Sequence, residues 1–174
     1  DEINTIRKHM SQLKGGQLAR LVMPATLITL VLSDVVGDRL DVIASGPTVP
    51  DPTTYQDCLE IIRHYDLLPG LPVGVRAHLQ RGQAGELAET PKATDPAFAR
   101  CQTVIIGSNR LALGAAGAEA QARGYKTLLL SSSLEGETRY IARMHAAIAR
   151  EIRQTEVPLV PPACGLTGGE TNLH

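Results

Sequence analysis

The sequence contains no tryptophan and only one phenylalanine, and its formal net charge at pH 7 is −1. A surface that binds nucleic acid needs clustered basic residues or aromatic rings on which bases can stack. Nucleic acid is therefore not an expected partner. No apolar run approaches the roughly 20 residues that a transmembrane helix requires, and no signal-peptide pattern opens the sequence. We expect a soluble, cytoplasmic protein with no membrane partner.

Cysteine and histidine are too dispersed to predict a metal site built by side chains alone. The three cysteines lie at positions 58, 101 and 164, with no CxxC pair, and the five histidines form no HxH or HExxH pattern. Three reduced thiols and no zinc centre are expected. The GxxxxGK[ST], GxGxxG and GxSxG signatures are also missing, which argues against the usual P-loop NTPase, Rossmann dehydrogenase and serine hydrolase.

The apolar pattern predicts an α/β protein. Short β-branched strands are expected at residues 103–106 and 125–130, with helices over 110–123 and 138–154, and this alternation is typical of parallel βαβ units. Helices are also predicted over residues 1–13, 17–23 and 72–81 and from about residue 54, and a last strand near 163–166. Residues 83–100 and 131–136 are expected to form surface loops. The predicted architecture is a three-layer Rossmann-like fold, with a mostly parallel sheet and helices on both faces.

The loop after residue 32 is the strongest candidate for a functional site. Residues 26–32 carry no charge and predict a buried strand, and Asp34, Gly37 and Asp38 follow its end. In open α/β sheets, ligands bind outside the carboxyl ends of the strands. Asp34 and Asp38 could hold magnesium through water molecules or accept a proton from an alcohol. They could equally cap amides of the loop or of the next helix.

Other polar groups offer weaker candidates, each with a structural alternative. Lys14 precedes Gly15 and Gly16, a setting that suits a cation beside phosphate oxygens but also an ordinary exposed lysine. Ser45, Gly46 and Thr48 could present hydrogen-bond donors to an anion, or they could form an ordinary proline turn. Between a strand and a helix, Ser108 and Asn109 could bind an anion or cap the helix. Glu170 and Thr171 follow two glycines near a strand end.

Seven segments, in this order along the chain, resemble the MOFRL-type glycerate kinase family, the glycerate 2-kinase group whose members are also labelled hydroxypyruvate reductase. They are INTIRKHMS at residues 3–11, LKGG at 13–16, LSDVVGD at 32–38, IASGPT at 43–48, ETPK at 89–92, IGSN at 106–109 and GGET at 168–171. The similarity runs nearly from end to end, and the aspartate-containing loop at residues 32–38 and the Ser-Gly-Pro-Thr segment are its most specific parts.

The resemblance implies transfer of the γ-phosphoryl group of ATP to D-glycerate, giving 2-phosphoglycerate with the help of Mg²⁺. It also implies two α/β domains with the active site between them. Residues 1–174 would form part of the N-terminal domain, without its upstream part and without the C-terminal MOFRL domain, so this chain is not expected to be active alone. The implied partners are glycerate and ATP, and a homodimer is one option for the assembly.

The resemblance also assigns roles to the candidate residues. Asp34 would orient or deprotonate the glycerate hydroxyl, or hold magnesium. Lys14, with the amides of Gly15 and Gly16, would contact phosphate or the substrate carboxylate. The remaining candidates divide into one group that shapes the pocket and one that lines its other rim: Asp38, Ser45, Gly46 and Thr48, and then Ser108, Asn109, Glu170 and Thr171.

Two other functions compete with the kinase. The first is reduction of hydroxypyruvate with a nicotinamide cofactor, although no dinucleotide-binding turn is present. The second is a noncatalytic binding module that has kept the fold and lost the activity. An assay for glycerate-dependent ADP release against hydroxypyruvate-dependent NAD(P)H oxidation separates the first from the kinase.

Overall fold

The computed structural model describes residues 2–172 and has six α-helices and four β-strands over that range. The helices are α1 (Glu2–His9), α2 (Gln17–Val22), α3 (Tyr55–His64), α4 (Val73–Gln83), α5 (Asn109–Ala122) and α6 (Thr138–Thr155). The strands are β1 (Leu27–Ser33), β2 (Cys101–Ser108), β3 (Lys126–Glu137) and β4 (Ala163–Asn172). The α/β class predicted from the sequence is confirmed. Asp1, where the first predicted helix would begin, lies outside the described residues.

The chain divides into two compact units. The first comprises the residues up to Val31 together with Arg39–Val104, and the second comprises Leu32–Asp38 and the chain from Ile105 onward. The strands pair as β1 with β2 and β3 with β4, in two two-stranded sheets. The sequence analysis predicts one sheet instead. The difference arises because an apolar pattern locates strands but does not specify which strands hydrogen-bond to each other.

In the first unit, α3 supplies most of the core. Tyr55, Cys58, Leu59 and Ile62 are buried on one face of α3 and pack with Leu79 of α4. The start of α3 is fixed by a capping box, in which the side chains of Thr54 and Asp57 each accept a hydrogen bond from the other's backbone N–H. This cap agrees with the helix start predicted near residue 54.

In the second unit, β3 and β4 are parallel neighbours and α6 connects them, as predicted from the strand–helix–strand pattern. The expectation of a loop at residues 131–136 is wrong, because β3 continues to Glu137. Its pairing with β4 includes register shifts between Leu129 and Ser131 and between Ser131 and Leu134. A polar, glycine-containing segment can therefore remain in a strand where irregular pairing accommodates it.

Two further expectations are corrected. The strand at β1 is not buried on both faces: its residues alternate between half-buried and exposed, and Leu32 is 75% exposed. An uncharged run rich in Leu, Ile, Val and Thr predicts a strand but does not specify whether one face or both faces of it are covered. Residues 83–100 are not a surface excursion, since Thr90, Pro91 and Ala97 are buried. Among residues 2–172, no helix combines the length and apolar character needed to cross a membrane.

Candidate functional site

The loop after β1 presents Asp34 to solvent. Its carboxylate is exposed and forms no hydrogen bond or ion pair with another described residue. The loop turns back on itself, because the Asp38 N–H donates to the Val35 carbonyl over 3.0 Å, and Gly37 and Asp38 adopt left-handed φ values of 80° and 54°. Asp34 and the half-buried Asp38 thus flank one tight turn at the end of a strand. An exposed, unpaired carboxylate in this position is available to a ligand.

In the first unit, the structure brings Lys14, Gly15 and Gly16 against Ser45 and Gly46. The Gly15 N–H donates to the Ser45 carbonyl over 2.9 Å, and the Gly16 N–H donates to the Gly46 carbonyl over 2.7 Å. The Lys14 ammonium donates to the Ala44 carbonyl over 3.2 Å. Because both glycine amides already have acceptors, Lys14 is the group of this segment that can still reach an anion.

Only glycine fits at the centre of this contact. A Cβ added to Gly15 would lie 2.9 Å from Cβ of Lys8 and 3.2 Å from Oδ2 of Asp51, and φ at Gly15 is +58°. At Gly46, the corresponding Cβ would lie 3.0 Å from Cα of Asp41. The Ser45 hydroxyl donates to Oδ1 of Asn4 over 2.9 Å, and Thr48 is buried nearby along the chain. Ser45 and Thr48 therefore support the turn from inside.

A buried ion pair lies beneath this turn, and sequence reasoning missed it. Lys8 is 3% exposed and Asp51 is 1% exposed, and the Lys8 ammonium lies 3.0 Å from Oδ1 of Asp51 and 3.9 Å from Oδ2 of Asp41. Asp51 also accepts hydrogen bonds from the backbone N–H and hydroxyl of Thr53 and from the Thr90 hydroxyl. A lysine in a short amphipathic helix is usually solvated, so the sequence pattern around Lys8 does not indicate this ion pair.

The electrostatics of Asp51 follow from these contacts. Burial by itself raises the pKa of Asp51, but the hydrogen bonds from Thr53 and Lys8 and the positive charge of Lys8 more than offset it, so the pKa lies below its usual value. Asp51 is thus held as a carboxylate whose partners come from three parts of the chain. Its carboxylate lies next to Gly15, because a Cβ added there would be 3.2 Å from Oδ2 of Asp51.

A second buried network lies beside the first. Nδ1 of His9 is 2.8 Å from the Thr5 carbonyl oxygen and Nε2 is 3.2 Å from Oε2 of Glu89. Glu89 also accepts from the Tyr55 N–H and from the Lys92 ammonium. Both ring nitrogens of His9 therefore lie within hydrogen-bond distance of an oxygen atom. The segments at residues 3–11 and 89–92, both part of the family resemblance, contain most residues of this network.

In the second unit, Ser108 and Asn109 have separate roles. The Ser108 hydroxyl caps α5 by accepting from the Leu111 N–H over 3.3 Å. The Asn109 amide donates to the Ser132 carbonyl over 2.8 Å, and a Cβ at Gly168 would lie 2.1 Å from Oδ1 of Asn109. Asn109 therefore bridges the start of α5 and the β3–β4 pair, and Gly168 provides the space for it.

Near the end of β4, Glu170 and Thr171 are exposed. Glu170 is in register with Glu135 of β3, and the Thr171 hydroxyl accepts from the Thr138 hydroxyl over 2.9 Å. The predicted residues are thus divided between the units: Lys14, Gly15, Gly16, Ser45, Gly46 and Thr48 lie in the first, and Asp34, Asp38, Ser108, Asn109, Glu170 and Thr171 lie in the second.

Comparison with known proteins finds a matching family model, and relatives that match nearly the whole chain. Residues 1–80 match the family described as Domain of unknown function (DUF4147). A glycerate 2-kinase of Pyrococcus horikoshii is 42% identical over 172 residues, which are 99% of this chain and 38% of that protein. A protein of Agrobacterium vitis with the provisional name hydroxypyruvate reductase is 44% identical over 172 residues, or 99% of this chain and 37% of the relative.

A solved structure gives the same result for the fold. The crystal structure of a glycerate kinase from Thermotoga maritima superposes with a TM-score of 0.84 at 39% identity, covering 99% of this chain and 39% of that one. This chain is similar to glycerate kinases over 99% of its length. It spans 37% to 39% of the length of these relatives.

The donor set of this chain suits Mg²⁺ better than a soft metal. Among residues 2–172, no three His, Cys, Asp or Glu side chains are grouped as a metal cage. Mg²⁺ does not need such a cage, since it commonly binds one or two carboxylates together with water and substrate phosphates. The acidic turn that contains Asp34 and Asp38 offers ligands of that kind.

Proposed function

We propose that the protein containing this chain is a glycerate kinase, which transfers the γ-phosphoryl group of ATP to D-glycerate and forms 2-phosphoglycerate. The observation that carries the proposal is the identity of about two residues in five with kinases of this name over nearly the whole chain, as in the 42% identical Pyrococcus horikoshii protein. The exposed carboxylate of Asp34 at the end of a strand supports it. We propose further that the complete protein adds an upstream part and a C-terminal MOFRL domain to residues 1–174.

The proposed chemistry needs positioned charge rather than a covalent intermediate. Asp34 would orient the glycerate hydroxyl and accept its proton as the phosphoryl group is transferred. Lys14 would bind phosphate or the glycerate carboxylate, and Gly15 and Gly16 would hold Lys14 in place through their bonds to Ser45 and Gly46. Asp38 in the second unit and Thr48 in the first would each contribute to substrate or nucleotide binding.

Four further residues of the second unit would contribute to substrate or nucleotide binding: Ser108, Asn109, Glu170 and Thr171. When bound, Mg²⁺ would neutralise charge on the ATP phosphates. Asp38 would hold it, and holding Mg²⁺ is the alternative to the role of Asp34 as proton acceptor. We also propose a cytoplasmic enzyme that assembles as a homodimer.

The experiment compares Asp34→Asn with Asp66→Asn in the full-length protein. We expect Asp34→Asn to lower kcat for glycerate-dependent ADP release by about 10²-fold or more, as removal of a general base does. Asp66 is exposed and outside the site, so Asp66→Asn controls for the loss of one carboxylate. Wild-type turnover and unchanged magnesium dependence in Asp34→Asn would show that the assigned role is wrong.

Reduction of hydroxypyruvate remains a second candidate, because the Agrobacterium vitis relative carries that name. The same preparation answers this question. Hydroxypyruvate-dependent loss of NAD(P)H absorbance, without glycerate-dependent ADP release, would favour the reductase over the kinase. If neither activity is detected while glycerate or ATP binds, a noncatalytic module is favoured.

A further inference from the structure

A cavity of about 630 Å³ lies within the first unit, apart from the predicted site residues. Residues from the end of α1, from α2 and from α4 line it, together with Tyr55 and residues 87–90. Its volume falls in the range of small-molecule sites. Apolar atoms come from Met10, Leu21 and Leu87, and polar groups from His78 and Arg20.

The floor of this cavity is a rigid aromatic stack. The Tyr55 ring lies against Gly82 so closely that a Cβ there would be 2.3 Å from Cγ of Tyr55. His9 contacts the Tyr55 ring edge-on at a centroid distance of 4.7 Å, and His78 does so at 5.8 Å. The side chains on this floor are thus held in place before any ligand arrives.

Two polar atoms of the stack are left for a ligand. The hydroxyl of Tyr55, on a residue 5% exposed, forms no hydrogen bond with another described residue. Nε2 of His78 is 2.8 Å from the His9 carbonyl oxygen. Because a carbonyl only accepts, this nitrogen donates, and Nδ1 is the ring nitrogen of His78 that has no partner in the described chain.

The charges at the cavity are already neutralised. Arg20 donates to Oδ2 of Asp95 from Nε over 3.2 Å and from Nη2 over 2.5 Å. His9 contacts Glu89. Burial, with the nearby Glu89 carboxylate, raises the pKa of Tyr55, so its hydroxyl stays a donor at neutral pH. The described residues that line the cavity therefore offer no unpaired charge to a ligand that carries a net charge.

We propose that this cavity binds a neutral, flat group with a hydrogen-bond donor and an acceptor on one edge, the chemistry of a nucleobase. In the kinase proposed above, on which this inference rests, that group is the base of ATP. Ser11 and Gln17 line the cavity and flank the Lys14–Gly16 segment, and the Ser11 hydroxyl oxygen accepts from the Lys14 N–H over 3.2 Å. One short segment would thus connect a base subsite to the lysine proposed to bind phosphate.

The test measures binding of adenosine, which has a base but no phosphate, to the full-length protein by calorimetry. Tyr55→Phe removes a hydroxyl that has no protein partner, so we expect unchanged thermal stability and about tenfold weaker adenosine binding, the loss of one hydrogen bond. Gly74→Phe places a ring in the cavity, since no atom lies within 4 Å of a Cβ there, and should abolish binding. Gly70→Phe, equally unobstructed but outside the cavity, is the matched control and should bind as the wild type does.

Each of three results would overturn the proposal. These are no binding of adenosine to the wild-type protein, normal binding in the variants at positions 55 and 74, and displacement of adenosine by D-glycerate. Kinase activity is measured on the same preparations. Activity with a wild-type KM for ATP in Tyr55→Phe and Gly74→Phe would reject the cavity and leave the kinase standing. Adenosine binding without any glycerate-dependent ADP release would reject the kinase and leave the cavity standing.

Discussion

Replacing Lys8 by methionine should open the first unit locally. Methionine keeps most of the apolar stem that packs on Gly15 but removes the ammonium that lies 3.0 Å from Asp51. Asp51 would then be a buried carboxylate with only hydroxyl and amide partners. Loss of one member of a buried ion pair typically costs about 3–5 kcal/mol. Because the bonds from Thr53 and Thr90 remain, we expect a cost of about 3 kcal/mol, near the lower end of that range.

Native-state hydrogen exchange on the full-length protein measures this cost, because it reports the opening of individual segments. Amides of α1 and α3 should exchange about 100-fold faster in Lys8→Met. The double variant Lys8→Met/Asp51→Asn should recover part of the loss, since a neutral amide oxygen still accepts from Thr53 and needs no counter-ion. Lys126→Met replaces an exposed lysine and should change stability by less than about 0.5 kcal/mol. Normal exchange rates in Lys8→Met would refute the structural role of the pair.

Three other perturbations test separate features. Gly82→Ala should destabilise the protein by about 1–3 kcal/mol, because the new Cβ would lie 2.3 Å from the buried Tyr55 ring. Gly74→Ala in the same helix should be neutral or stabilising. Equal melting temperatures for the two variants would contradict this reasoning. The pKa of Asp51 is lowered in the folded state, so its contribution to stability is present above pH about 4 and is lost as pH falls below that value. Asp51→Asn should therefore flatten the acid limb of a melting-temperature profile, and a limb as steep as in the wild type would count against the assignment. Burial, with nearby carboxylates, raises the pKa of Cys58 to about 12, so iodoacetamide at pH 8 should label Cys58 in urea but not in the folded protein, and mass spectrometry would reveal native labelling if this is wrong.

Local signals predicted much of the fold. A β-branched run followed by Ser108 located β2 and the cap of α5, and Thr54 located the start of α3. These features depend on neighbours in the sequence, so the pattern of residues is sufficient. The strand at 131–136 depended instead on pairing with β4, which lies more than thirty residues further along the chain in the case of Leu134 and Gly169. No pattern within residues 131–136 contains that information.

The same distinction applies to the site. The acidic loop after β1 could be predicted, because a strand end followed by acids is visible in the sequence. The positions of Lys8 and Glu89 could not, since each gains its role from residues far away in the chain: Asp51 for Lys8 and His9 for Glu89. Exposure of Asp34 agrees with the role proposed for it, and that role stays a prediction.

The division of the chain has a consequence for dissecting the protein. Residues 32–38 belong to the second unit, while the residues on both sides of them belong to the first. Neither unit is therefore a continuous stretch of the gene. A deletion series from either terminus would separate Asp34 from its own unit before reaching a clean boundary. A split-protein or circularly permuted design would have to carry this seven-residue insertion along with the C-terminal half.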